Sequence, residues 1–203
     1  MNDTIKEYRG IRGLVAALLK TDTADGITYE APFSVAGVSE LTKETESSSE
    51  AHYYDNIPAV IIDSVGSDTV GVNVSAVPLS VVAKLTGQTF DETTGTLVDD
   101  EGVAPYVALG YITEDTDGKE IYVWRYKGKF SRPGSSHKTK DSGTDANGQE
   151  LTYTGISTTH KFTSTGKKAM GINAPADTCG KSEADFFADV MKPDDIITSN
   201  PEG

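Results

Sequence analysis

The stretch IYVWRYKGKF, residues 121–130, decides the fold because its side chains alternate in character from one position to the next. The even positions are aromatic apart from one glycine: Tyr122, Trp124, Tyr126, Gly128 and Phe130. The odd positions begin aliphatic and become basic: Ile121, Val123, Arg125, Lys127 and Lys129. Because a β-strand points successive side chains to opposite faces, the pattern predicts a long strand with one aromatic face and one face that turns basic.

Tight-turn signals next to this stretch predict hairpins. Asp117-Gly118 separates YVALGYIT, residues 106–113, from the aromatic strand. Asp-Gly and Asn-Gly pairs between strand-forming residues favour two-residue hairpin turns, and Asp25-Gly26 and Asn147-Gly148 are further candidates.

Four other segments are predicted to be strands. IRGLVAALL, residues 11–19, could be a short helix by propensity, although Gly13 and its short length weaken one; a strand is preferred because a resemblance to a known family, carried by the order of the elements, implies a hairpin here. TVGVNVSAV, residues 69–77, alternates strictly, and AVIID, residues 59–63, is predicted to pair with it across a turn at residues 65–69. QELTYTGISTTHKF, residues 149–162, is predicted to continue as a strand through a bulge at Gly155.

Two short helices and two long loops complete the prediction. Residues 77–87 have a proline in the first turn and a glycine after the last, and residues 181–193 have Ser182 as N-cap and Pro193 as stop. The Ser- and Glu-rich residues 39–56 and the turn-rich residues 131–148 are predicted to be loops. The fold class is therefore mainly β, sandwich- or barrel-like, in one domain over residues 1–203, with extended or disordered ends at 1–7 and 194–203.

Composition argues against several function classes. Eighteen basic residues face 31 acidic ones, so the formal net charge is -13. A general nucleic-acid binder must neutralise phosphates, and this balance opposes that role. The apolar run Leu14 to Leu19 is too short to span a bilayer, and no signal peptide or membrane partner is expected. No phosphate loop, nucleophile elbow, calcium loop or metal-ligand spacing is complete, so we expect no enzyme, cofactor, catalytic residue or metal.

The aromatic strand allows three interpretations. Its rings pack on a core. Alternatively, Tyr122, Trp124 and Tyr126 form a flat platform that stacks sugars, as in a carbohydrate-binding β-sandwich, or nucleic-acid bases. In the third interpretation the strand lines a wet channel in a closed oligomeric barrel. The residues alone leave these alternatives open.

The order of the elements resembles the major tail protein of long-tailed bacteriophages, the tail tube subunit. Four segments carry the resemblance, which covers roughly residues 8–192: an N-terminal hairpin at 8–32; a strand, long loop and the pair Asp55-Asn56 within 35–56; a strand, short helix and "LTG" exit within 70–99; and the "ALGY" and "YKGKF" strands within 104–134.

This resemblance implies a virion structural protein. Six subunits would form a ring, and rings would stack into a hollow tube that delivers DNA without binding it specifically. Implied partners are further copies of the chain, the tape measure protein in the lumen, and the distal tail protein and tail terminator at the ends. The location would be the virion tail, after assembly in the host cytoplasm. A non-contractile tail is favoured, with the tube of a contractile injection system as the alternative.

Charge suggests a further hypothesis about assembly. Residues 90–102 hold five acids and no base, among them Asp99, Asp100 and Glu101, whereas residues 119–140 hold seven Lys or Arg. These stretches are either solvated separately or meet across subunits and guide their register.

Overall fold

The computed structural model describes residues 7–54, 56–134 and 148–197. Its strands and helices, in chain order, are β1 (Tyr8–Asp22), β2 (Ile27–Tyr29), β3 (Phe33–Ser34), β4 (Val38–Tyr54), β5 (Ile57–Val74), α1 (Leu79–Thr86), β6 (Phe90–Asp91), β7 (Thr96–Leu97), β8 (Val107–Asp115), β9 (Glu120–Phe130), β10 (Gln149–Gly155), β11 (Gly171–Pro175) and α2 (Glu183–Ala188), followed by a 3-10 turn at Pro193–Asp195. The mainly β prediction, with short helices, is confirmed.

One curled antiparallel sheet dominates the structure, in the order β2-β1-β8-β9-β10-β5-β4. The predicted aromatic strand is β9, and it lies near the middle. It pairs with β8 along one edge and with β11 and then β10 along the other. The predicted hairpin at Asp117-Gly118 joins β8 to β9, with Gly118 at φ 76° and the carboxylate of Asp115 accepting the N–H groups of Asp117 and Lys119. The hairpin at Asp25-Gly26 is also confirmed, between β1 and β2.

The two faces of the sheet bury two separate cores. The inner core lies inside the curl, because it joins β1 at one side of the sheet to β5 at the other, and α1 closes it with Val82 and Leu85. The outer core lies between the opposite face of β8 and β9 and the C-terminal segment, where α2 contributes Phe186. Burial of apolar side chains on both faces explains why the central strands are so rich in apolar residues.

A bulge in β9 divides the aromatic residues between the two cores. Leu109 pairs with Arg125 but Val107 pairs with Gly128, so Tyr126 and Lys127 both lie opposite one residue of β8. The extra residue reverses the alternation. Tyr122, Trp124 and Tyr126 therefore lie in the outer core, whereas Phe130 packs on Tyr153 in the inner core. The prediction that all even positions share one face is wrong beyond Tyr126.

β1 is a strand, as predicted, and its glycines sit where its register shifts. Gly10 and Gly13 have φ of 71° and 67°, and the pairing of β1 with β8 slips by one residue at each. Glycine takes such positive φ values without the steric cost that a Cβ would add, so these positions suit bulges.

Two predictions between residues 39 and 69 are wrong. Residues 39–56 form most of β4 rather than a loop, and residues 65–69 lie inside the continuous strand β5 rather than in a turn. The segment at 59–63 pairs with β4, not with residues 69–77. The error arose because strand patterns reflect burial, and this hairpin buries little within the subunit.

The helices agree with their predicted starts. Pro78 precedes α1, and Gly87 ends it at φ 72°. Ser182 caps α2 by accepting the N–H of Asp185, but this helix ends at Ala188, earlier than Pro193. β10 also ends earlier than predicted, at Gly155, so no bulge continues it to residue 162.

Part of the predicted loop at 131–148 lies outside the described residues, since 135–147 are not described, and with it the turn at Asn147-Gly148. The same holds for residues 1–6 and 198–203 of the predicted ends. Asp194, within the predicted C-terminal extension, accepts the N–H groups of Thr163 and Ser164.

Candidate functional site

β4 and β5 continue beyond the body of the sheet as a two-stranded hairpin, here called the arm (residues 46–65). β10 pairs with β5 only from Val74 to Asp68, and past that point β4 is the one strand that the described residues place beside β5. Eight residues, from Ser47 to Tyr54, extend the arm by about 27 Å, at about 3.4 Å per residue. Every arm side chain that the structure describes is exposed.

The arm carries an unusual share of exposed apolar side chains. Of the fourteen large hydrophobic residues exposed in the described part of the chain, seven lie on the arm: Tyr53, Tyr54, Ile57, Val60, Ile61, Ile62 and Val65. Because side chains alternate along a strand, Val60 and Ile62 point to one face and Ile61 and Val65 to the other. Contiguous exposed apolar surface of this kind marks an interaction site.

The arm also lacks the support that keeps a hairpin folded. A single two-stranded hairpin is marginally stable in water, and long strand edges readily pair with other chains. Contact with another chain would therefore stabilise the arm.

A buried carboxylate fixes the root of the arm. Asp68 is 2% exposed, and its carboxylate lies 3.2 Å from Nζ of Lys43 and 3.5 Å from Nη1 of Arg125. The hydroxyl of Thr45 donates to it at 2.6 Å. Next to it, a bulge at residues 66 and 67 sets the twist with which the arm leaves the body. The ion pairs, the hydrogen bond and the bulge thus meet where the arm leaves the body of the sheet.

The arm tip contains the predicted pair Asp55-Asn56. Asn56 has φ 64°, a left-handed conformation that asparagine adopts more readily than most residues, and it turns β4 into β5. Asp55 lies outside the described residues. The prediction that this pair takes part in assembly stays a prediction.

Three predicted assembly candidates of β9, Tyr122, Trp124 and Tyr126, are aromatic residues that lie buried in the outer core. Trp124 is 0% exposed and its indole N–H donates to the carbonyl of Phe186 at 3.1 Å. The hydroxyl of Tyr126 donates to the carbonyl of Met191 at 3.1 Å, and Tyr122 packs against Phe186. Burial raises the pKa of Tyr126 and of Tyr122. Because α2 and the C-terminal segment cover these rings, they offer no stacking platform to a sugar.

The basic residues of β9 already have partners within the chain. Nζ of Lys127 lies 2.7 Å from Asp22, whose carboxylate also accepts the N–H groups of Thr159 and His160. Burial acts to raise the pKa of Asp22, but these hydrogen bonds outweigh it and the pKa is lowered. Lys129 lies over the ring of Tyr106, 4.6 Å from its centroid. Arg125 pairs with Asp68, so the odd positions of β9 mainly tie the fold together.

Two of the three predicted acidic residues, Asp99 and Asp100, contact a base of the same chain. Nη1 of Arg132 lies 2.8 Å from Asp99, and Nη2 of Arg132 donates to the carbonyl of Asp100. The hydroxyl of Thr89 donates to the carboxylate of Asp100 and lowers its pKa, while Glu101 is exposed. The hypothesis that acidic and basic stretches meet across subunits therefore competes with contacts that one subunit already makes.

Within residues 7–54, 56–134 and 148–197, no group of three or more His, Cys, Asp or Glu side chains is arranged to hold a metal ion. In the same part of the chain, no helix is long and apolar enough to cross a membrane.

The arm is the feature that sequence reasoning missed. The signal was present at Val60, Ile61 and Ile62, because consecutive apolar β-branched residues indicate a strand that is covered on both faces. No described element of the subunit covers it.

The chain matches a known protein family. A family model described as phage tail tube protein matches residues 44–193, which include the arm, both helices and the central strands. No curated protein matches the chain.

Proposed function

The chain belongs to the phage tail tube protein family, and on that premise we propose that it forms sixfold rings which stack into the hollow tube of a non-contractile phage tail. As a member of this family it is a structural protein of the virion tail. In the proposed tube, DNA passes through the lumen without specific binding, which suits a chain of net charge -13.

The arm is the observation that supports assembly. It places seven apolar side chains in water on a hairpin that no other described part of the subunit covers. Apolar burial is the main driving force of association, so these side chains favour contact with further copies of the chain. The tape measure protein, the distal tail protein and the tail terminator are proposed as further partners, and host cytoplasm as the place of assembly.

Electron microscopy of negatively stained protein, with a matched pair of variants, tests the proposal. Val60→Ser with Val65→Ser removes apolar surface from both faces of the arm. Val98→Ser with Val103→Ser makes the same change at exposed valines outside the arm. We expect rings or tubes from the unmodified chain and from the outside pair, and monomers from the arm pair.

Circular dichroism supplies the folding control, since all four valines are exposed and both variants should unfold like the unmodified chain. Equal loss of assembly in both variants would argue against a role for the arm in assembly. Absence of rings and tubes from every protein, even with the tail-tip proteins added, would argue against the proposal that the chain forms a tube.

The carbohydrate-binding alternative has no support in the described residues, because its three candidate rings are buried. No observation favours the tube of a contractile injection system.

A further inference from the structure

The arm leaves the body of the sheet at one step of its ladder. The last pair between β10 and β5 joins Gly155 to Asp68, and beyond it the described residues support β5 only through β4. The next step is the bulge, where residues 66 and 67 of β5 lie opposite Glu46. A two-stranded ladder that starts at a bulge can bend and twist there, so the ladder alone leaves the direction of the arm loosely defined.

A cluster of side chains spans this step. Asp68 belongs to β5, and its carboxylate accepts from the hydroxyl of Thr45 at 2.6 Å and lies 3.2 Å from Nζ of Lys43, both on β4. Nη1 of Arg125, on β9, lies 3.5 Å from the same carboxylate. One carboxylate therefore links both strands of the arm root to a strand in the middle of the body.

Arg125 is itself held firmly within the body. Its backbone pairs with Leu109 of β8 on one side and with Gly171 of β11 on the other. A Cβ added at Gly171 would lie 3.0 Å from Cδ of Arg125, so the glycine lets β11 pack against the arginine side chain. The side chains of Arg125 and Asp68 are 13% and 3% exposed. Bending at the root would draw apart charges that water hardly reaches, and leaving such charges unpaired is costly.

We propose that Asp68 is a positioning residue, which together with Lys43, Thr45 and Arg125 sets the direction of the arm in the free subunit, before any contact with another chain. An arm of about 27 Å moves its tip by about 5 Å when its root turns by about 10°, so the cluster decides where the tip lies. A preset direction lowers the ordering cost of association, and this consequence for assembly rests on the function proposed above.

Distances between spin labels test the direction of the arm. His52→Cys, exposed on the arm, and Glu150→Cys, exposed on β10 in the body, carry the labels. The background is Cys179→Ser, since Cys179 is the one cysteine of the chain. Pulsed electron paramagnetic resonance, at a concentration below that of assembly, gives the distribution of the distance between the labels in single subunits.

Three variants are compared with the unmodified cluster in this labelled chain. Asp68→Asn removes the charge of the carboxylate with little change of shape. Lys43→Met weakens the cluster without altering Asp68, and it is the milder change because Lys43 is 27% exposed. Glu114→Gln is the matched control, because it removes the same charge from an exposed pair with Arg9, outside the cluster. Near-ultraviolet circular dichroism checks the packing of the body, and Lys43→Met decides the test if Asp68→Asn does not fold.

We expect one narrow distribution for the unmodified cluster and for Glu114→Gln, and distributions at least about twofold wider for the two cluster variants. The mobility of the label at position 52 should be the same in all four proteins. A wide distribution with the unmodified cluster, or equal widths in all four proteins, would overturn the proposal. A more mobile label in the cluster variants would also overturn it, because Asp68 would then keep the arm folded instead of directing it.

Tube formation by the unlabelled proteins gives a second readout. Asp68→Asn should raise the critical concentration for tubes about tenfold, whereas Glu114→Gln should leave it unchanged. A wider distance distribution with an unchanged critical concentration would overturn the role of the cluster in assembly. Absence of tubes from every protein would overturn the proposed function, while the label distances would still decide whether Asp68 directs the arm.

Discussion

Replacement of Asp22 by alanine tests how the sheet is tied to the segment that follows β10. The carboxylate of Asp22 is 4% exposed and accepts from Nζ of Lys127 at 2.7 Å, from the N–H of Thr159 at 2.7 Å and from the N–H of His160 at 2.9 Å. Asp22→Ala leaves the nearly buried ammonium of Lys127 without this carboxylate, and it leaves the N–H groups of Thr159 and His160 without their acceptor.

The expected loss of unfolding free energy is about 3–5 kcal/mol, the usual cost of removing one partner from a buried ion pair. For a chain of this size, that loss corresponds to a melting temperature lower by about 6–20 °C. Arg9→Ala is the control, because Arg9 and Glu114 are 59% and 37% exposed and such pairs contribute about 1 kcal/mol or less.

Lys127→Met completes a double-mutant cycle. The double variant holds no unpaired buried charge, so it should be more stable than the sum of the single effects predicts, by about 1–3 kcal/mol. Chemical denaturation followed by Trp124 fluorescence measures each variant, at a concentration below that of assembly because association stabilises the folded state. A loss under about 1 kcal/mol for Asp22→Ala, or a coupling near zero, would refute this account of the site.

Three further expectations concern single residues. The lowered pKa of Asp22 adds stability that is present above its unfolded pKa of about 3.9 and is lost as pH falls through the folded pKa. Thermal melts between about pH 3 and 7 should show this decrease in melting temperature. The decrease should be shallower in Asp22→Ala, which lacks the carboxyl group. Gly87→Ala should lower the free energy of unfolding by more than about 2 kcal/mol, because the new Cβ meets the backbone of Val103. Gly95→Ala, also at positive φ but in open space, should lower it by about 1 kcal/mol. Similar losses for the two variants in urea denaturation would contradict the clash. Trp124 fluorescence should be blue-shifted, poorly quenched by iodide and unchanged by sugars; a sugar-dependent change would revive the platform interpretation.

Local signals predicted the parts of the fold that depend on neighbours in sequence. The turn at Asp117-Gly118 and the caps Pro78, Gly87 and Ser182 are each set by one or two residues, so they were recognisable. The alternation in β9 likewise predicted the strand itself.

Features that depend on distant residues were not predictable in this way. The bulge in β9 is visible only in its pairing with β8, and it moves Phe130 to the inner core. The partner of Lys127 is Asp22, 105 residues away, and no pattern in sequence indicates it. The arm was not predicted because nothing else within residues 7–54, 56–134 and 148–197 covers its strands, whereas strand patterns in sequence reflect the burial of side chains within the subunit.

The continuity of β5 has a mechanical consequence. One strand of 18 residues runs from the exposed arm, through the bulge at residues 66 and 67, to Val70, Val72 and Val74 in the inner core. A force applied at the arm therefore travels along a single backbone into the centre of the sheet. There it acts along the strands, so that the ladder hydrogen bonds to β4 and β10 resist together instead of opening one at a time. The arm is thus anchored by its own backbone in the centre of the sheet.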